Sequence, residues 1–248
     1  MVVGVNASTV YGGSNNASGY TYEGTGKTVY VKDSTINSVR GFDTAANSRV
    51  SKAGTPEQPY DINLVIENSS ISGLYSPTWA EGTNNTVNAQ LFGDINMTVR
   101  NSSVGWGYIT YGGIGGIDAE GIEHRYDANI TLDKVNSNNT FWGIRMNDNT
   151  GGNNNKYFDT ITLNVTGYTG TEGFYTVCPY GNVEGYLSGD FVCSLTGVSV
   201  ASLHLSPVDS HTYVYDTTNE TFFKNIDGYN PTITASGTID GIGHLFIE

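Results

Sequence analysis

The stretch DINLVIENSS, residues 61–70, returns as DINMTVRNSS at 94–103, as DANITLDKVN at 127–136 and as TITLNVTGYT at 160–169. Columns 33 residues apart then hold one kind of side chain: Ile62, Ile95, Ala128 and Ile161; Leu64, Met97, Ile130 and Leu163; Ile66, Val99, Leu132 and Val165. A further column reads Tyr75, Tyr108, Phe141 and Phe174. Self-similarity at a fixed period marks a stacked-repeat architecture, because one unit cannot bury its apolar face until its neighbours cover it. Within each unit positions such as 62, 64 and 66 are apolar while 63, 65 and 67 are mostly polar, the alternation of a strand with one buried face. A short polar turn follows, then a second extended piece with the aromatic column. Next come a variable section such as SPTWAEGTNN or NDNTGGNNN and a short last strand such as TVNAQLFG. Equivalent strands run in the same direction about 4.8 Å apart, so each repeat is one coil of a parallel β-helix. The crossover rule makes that helix right-handed.

Outward from the four clear repeats, TVYVKDSTI places Val29 and Val31 in the columns of Leu64 and Ile66, at an interval of 35. DFVCSLTGV places Cys193 in the Leu64 column, at an interval of 30 from Leu163. The expected fold is therefore all-β: a right-handed parallel β-helix, or β-solenoid, of about six coils and on the order of 25–30 Å long. Residues 1–248 form one domain, with regular coils over 27–205 and a C-terminal hairpin and capping strands over 206–248. The hairpin is placed at HTYVYDTTNETFF, residues 211–223. The 17 Tyr, 32 Gly and charged content of only 14% favour turns and strands, and no window offers a helical face.

The net charge of −13 repels a nucleic-acid backbone, and no basic stripe offsets it, so nucleic acid is excluded as a partner. No run of about 18 apolar residues exists to insert into a membrane. The opening MVVGVNASTVYGG lacks the charged-then-apolar layout of a secretory leader, and none is expected within it.

Several groups of residues could carry chemistry. Asp61, Asp94 and Asp127 form a column of like charges at the strand entrance, to be relieved by turn N–H groups or by Ca²⁺, the one cofactor considered. The insertion GIDAEGIEHRYD gathers Asp118, Glu120, Glu123, His124, Arg125 and Asp127, a set that a polysaccharide-active enzyme could use and that an exposed insertion also collects by default. His204, His211 and His244 show no metal-ligand spacing. The outward column Glu67, Arg100, Asp133 and Thr166 reads as a charge ladder holding the sheet. Outward Asn and Thr ranks, such as Asn96 and Thr98, form a narrow array of the kind that orders water. Cys178 and Cys193 are a candidate disulfide, within the chain or between copies, unless Cys193 is simply a small buried hydrophobe. Ten N-x-S/T sequons occur, and Asn6, Asn16, Asn84 and Asn138, placed in turns, are the best glycosylation candidates. Trp79, Trp106 and Trp142 lie beside the second extended piece, where they either pack or stack on sugar rings.

The run DINLVIENSSISGLY followed by DINMTVRNSSVGWGYITYGG resembles the β-solenoid repeats of prokaryotic cell-surface proteins, both adhesin-like proteins and envelope or sheath proteins. The resemblance covers residues 27–205 and rests on the alternating strand, the N-S-S turn and the Gly and Tyr that follow. It implies an extracellular location and carries no catalytic motif. The expected function is a structural protein that joins copies of itself into an envelope layer, sheath or fibre. The alternatives are an adhesin-like module that binds a glycan or surface and a polysaccharide-active β-helix enzyme.

Overall fold

The computed structural model describes residues 1–12, 14–15, 21–22, 24, 26–44, 51–80, 89–108, 113–147, 156–180, 185–187, 191–205, 212–213, 232–236 and 244–247. Among them every regular element is a strand, and no helix is long and apolar enough to cross a membrane.

Alternation in the repeat produces the strand Asp61–Glu67, whose even-numbered side chains are buried and whose odd-numbered ones are half-buried. Strands of the same pattern stack on it in parallel on both sides, and the registers are those of the sequence columns. Leu64 lies beside Met97, Met97 beside Ile130 and Ile130 beside Leu163. Val29 lies beside Leu64 and Cys193 beside Leu163, at the intervals read from the sequence. The chain is thus a β-solenoid, but its coil count differs from the expected six. Four turns keep the strict 33-residue interval. Further rungs join at other intervals, with Val2 beside Val31 and Ile233 beside Cys193. The loops between strands absorb the extra or missing residues, so the columns stay aligned. The late strands Thr232–Ser236 and His244–Ile247 extend the first and second stacks of the coil. Of the expected hairpin at 211–223, Thr212 and Tyr213 are described, pairing antiparallel with Gly185 and Tyr186, and the rest lies outside the described residues.

The corner between first and second strands explains the N-S-S signature. One residue in each turn adopts left-handed backbone: Gly4, Asp33, Asn68, Asn101, Lys134, Gly167 and Gly197, with φ between 46° and 65°. Gly enters this region freely, and Asn and Asp tolerate it through local hydrogen bonds. Lys134 has neither advantage. Lys134→Gly is therefore expected to raise the unfolding free energy by about 1 kcal/mol, measured by chemical denaturation.

The next position turns inward. Ser34, Ser69 and Ser102 are buried and form a ladder in which each hydroxyl serves two rungs. Ser69 Oγ accepts the N–H of Ser34 at 3.1 Å and donates to the Glu67 carbonyl at 2.7 Å. Ser102 Oγ does the same for the N–H of Ser69, at 3.0 Å, and the Arg100 carbonyl, at 2.7 Å. Without these hydroxyls the corner N–H groups would be buried and unpaired. In later rungs Val135, Tyr168 and Val198 occupy the position, and the corner becomes apolar.

The aromatic column needs correction. Tyr75 does lie beside Tyr108, but Tyr108 lies beside Trp142, while Phe141 lies beside Gly107. The turn from Asn138 to Thr140 carries one residue more than the corresponding turn of the rung before. It is closed locally: Ser137 Oγ donates to the Asn139 carbonyl at 2.8 Å, and Asn139 Oδ1 accepts the N–H of Thr140 at 2.7 Å. Gly107 lacks a side chain, and the Phe141 ring fills the place where one would stand, 2.4 Å from an ideal Cβ. The slip separates two columns. The inward one runs through Val39, Leu74, Gly107, Phe141, Phe174 and Leu203, and the other through Arg40, Tyr75, Tyr108, Trp142, Tyr175 and His204.

Candidate functional site

Two parallel columns run along the second stack, and the polar one faces solvent. The first follows the corner directly: Thr35, Ser70, Ser103, Asn136, Thr169 and Ser199 lie beside one another from rung to rung. Ser103 Oγ donates to Ser70 Oγ at 3.1 Å, and Thr169 Oγ1 donates to Asn136 Oδ1. The second is the aromatic column, which Tyr11 continues by pairing with Arg40. The Arg40 guanidinium carbon sits 5.5 Å from the Tyr11 ring centre and 5.3 Å from that of Tyr75, a cation held between two π faces. Trp106 packs edge-on to Tyr75 with ring centres 4.5 Å apart and covers Gly73, which makes room for its indole.

Along the polar column runs a groove of about 700 Å³, lined by Ser70, Ser103, Asn136, Thr169 and neighbouring residues, with Trp106 as its aromatic member. Gly105 keeps it deep, since a Cβ there would stand 2.5 Å from the Ser72 carbonyl oxygen. Trp106 and Trp142 are half-buried beside the second strand, where the sequence placed them. The side chain of Trp79 lies outside the described part of the structure. The polar column was not singled out by sequence reasoning, although Ser70, Ser103, Asn136 and Thr169 keep the 33-residue interval and could have been found by it.

The aspartate column binds backbone N–H groups. Asp61 Oδ1 accepts the N–H of Asp94 at 3.0 Å, Asp94 Oδ1 that of Asp127 at 2.9 Å, and Asp127 Oδ1 that of Thr160 at 3.0 Å. Each carboxylate thus caps the strand entrance of the next rung. Backbone N–H groups relieve the like charges of Asp61, Asp94 and Asp127, one of the two ways the sequence offered, and among the described residues no three His, Cys, Asp or Glu side chains are placed to share a metal ion. Burial pushes the Asp94 carboxyl above its ordinary range; the N–H of Asp127 pulls it down, and the charges of Asp127 and Asp61 push it up further. A carboxyl raised in the folded state favours folding in its protonated form. That contribution is present below the unfolded carboxylate pKa and is lost as pH rises through the folded value. Asp94→Asn keeps an acceptor and removes the charge. It is expected to raise Tm at pH 7 by about 1–3 °C, from a like-charge repulsion of about 0.2–1 kcal/mol per cross-strand pair. The gain should vanish in thermal melts taken below the carboxylate range.

The acidic insertion folds as a small antiparallel hairpin, Gly116–Ile117 against Glu123–His124. Asp118 is its organiser: Oδ1 accepts the N–H groups of Ile122 at 2.7 Å and Glu120 at 3.0 Å, and Oδ2 lies 2.7 Å from His124 Nε2. The His124 bond holds the Asp118 carboxyl below its ordinary range. Glu123 pairs with Arg125, whose guanidinium also donates to the Phe158 carbonyl. Asp127 belongs to the capping column instead. Six residues that the sequence grouped are thus divided between a hairpin brace and a strand cap, with Glu120 exposed at the turn.

Cys193 is a free thiol, 1% exposed in the core, the small buried hydrophobe that its column offered as one reading. Its inward column leaves the sulfur among apolar neighbours, and burial pushes the thiol up to about 12. The side chain of Cys178 lies outside the described part. Of the candidate sequons, Asn6 and Asn138 are exposed, while Asn16 and Asn84 lie outside the described residues. Arg100 approaches Glu67 at 3.8 Å with its side chain half exposed, a contact worth little by itself. The outward Asn rank is a true ladder, with Asn96 Nδ2 donating to Asn63 Oδ1 and Asn129 Nδ2 to Asn96 Oδ1, each at 3.1 Å.

The fold and these ladders define a β-solenoid whose polar side chains chiefly connect one rung to the next. Comparison with protein-family models, with curated proteins and with solved structures finds no match to this chain.

Proposed function

We propose that the protein is an extracellular structural protein that joins copies of itself into an envelope layer, sheath or fibre. The observation that carries this reading is that the Asp, Asn and Ser ladders repeat one contact from rung to rung. A rung at the end of such a stack offers unpaired N–H and C=O groups in the same pattern, and a rung from another copy can continue it. All rungs point the same way, so the contact between copies is head-to-tail and builds an open filament rather than a closed dimer. The net charge of −13 opposes association, so growth should be promoted by salt that screens it. The scarcity of Lys and Arg, 11 in all, and the ten sequons support a location outside the cell.

Sedimentation and electron microscopy of natively prepared protein, at low and at physiological ionic strength, test the proposal. Filaments or sheets that lengthen with salt are expected. Monomers at every concentration and salt level would overturn it.

A further inference from the structure

The polar column and Trp106 line one groove at the surface, and together they match one ligand chemistry. A sugar ring has apolar C–H faces and a rim of hydroxyl groups. Aromatic rings accept the faces, and hydroxyl and amide side chains both donate to and accept from the rim. We propose that this face binds a neutral polysaccharide strand lying along the solenoid axis. A sugar ring would stack on Trp106, and the hydroxyls would bond to Ser70, Ser103, Asn136 and Thr169.

Three observations select this occupant. Successive rungs place equivalent side chains about 4.8 Å apart, so the face repeats its chemistry along one line, as a polysaccharide does. The groove of about 700 Å³ along the polar column lies within the range of ligand sites and is lined by uncharged side chains. Arg40 is the one fully ionised side chain among the paired positions of the two columns, and Tyr11 and Tyr75 hold it. At the margin, Thr140 Oγ1 donates to the Glu172 carboxylate at 3.0 Å. A face without a basic cluster, on a protein of charge −13, repels an anionic polysaccharide and accepts a neutral one. The inference goes beyond the structural role and does not rest on it.

The test uses the full chain, produced without glycosylation because Asn138 lines the groove. It is titrated with cellohexaose, chitohexaose and mannohexaose, and with dextran sulfate as the anionic arm, followed by tryptophan fluorescence and calorimetry. At least one neutral hexasaccharide should bind and perturb the fluorescence, and dextran sulfate should not. Trp106→Ala should weaken binding about tenfold, and Trp106→Phe should retain it within about threefold, since the ring is preserved. Ser103→Ala with Asn136→Ala supplies a second variant that leaves every aromatic contact in place and should also weaken binding. Circular dichroism checks that each variant is folded. The proposal is overturned if no neutral hexasaccharide binds, or if binding is indifferent to both the Trp106 and the Ser103/Asn136 changes. It is likewise overturned if Trp106→Ala abolishes self-association in sedimentation while wild-type protein ignores all three sugars, because the face would then be a contact between copies.

Discussion

Phe141→Ala lowers the unfolding free energy by about 3–5 kcal/mol, the range for deleting a large buried aromatic side chain. Phe141 is 0% exposed and sits where three rungs meet. Its ring stacks on Phe174 with centres 5.6 Å apart and planes 7° apart, and Tyr168 packs against it at 5.9 Å. On the other side lies Gly107, which has no side chain to relax into the void. Tyr168 and Phe174 brace each other, with centres 4.9 Å apart, and resist collapse as well. The cost should therefore fall near the upper end, and urea denaturation with an unchanged m-value would measure it. A loss below about 1 kcal/mol would show that the ring does not bridge the rungs as described.

The second large effect comes from backbone rather than packing. Gly54 ends the short strand Ser51–Ala53 with φ of +74°, and the following rung passes directly over it. A Cβ added there would stand 2.4 Å from the Phe92 carbonyl oxygen and 2.7 Å from the Tyr60 nitrogen. Those two atoms are themselves bonded, Tyr60 N–H to Phe92 carbonyl at 2.7 Å, and Phe92 N–H donates to the Ala53 carbonyl at 2.8 Å. Neither can yield without breaking the bridge between rungs. Gly54→Ala thus combines a left-handed penalty of about 1–2 kcal/mol with overpacking of about 1–3 kcal/mol. The expected loss of stability is about 2–5 kcal/mol, read from the denaturation midpoint at constant m. Lys134→Gly is the matched opposite, a left-handed corner where removing the side chain relieves strain.

Much of the fold was legible from residues 61–70 alone. A strand's side-chain period of two and a fixed repeat length together determine both which side chains face inward and which rung lies beside which. Leu64, Met97, Ile130 and Leu163 therefore meet as the columns predict, and Cys193 follows them into the core. The aspartate column was visible too, but its partner was not. Whether Asp61 meets a cation or the N–H of Asp94 depends on where the strand entrance places that N–H.

The candidate site was less legible for a related reason. Ser70, Ser103, Asn136 and Thr169 share the interval, yet in the linear chain they look like turn residues. Their standing beside Trp106 across a groove depends on how the corner folds the second strand against the first. The extra residue in the turn from Asn138 to Thr140 moved Trp142, not Phe141, into register with Tyr108, and no column count at constant interval can show such a slip. The sequence by itself determined the stacked strands, their direction and their inward columns, because these follow from periodicity, which is local and repeated. Only the tertiary structure decided which aromatic faces solvent, which carboxylate caps which N–H and where a groove opens. Those outcomes depend on contacts between rungs, where a missing side chain at Gly107 counts as much as the ring of Phe141 that fills its place.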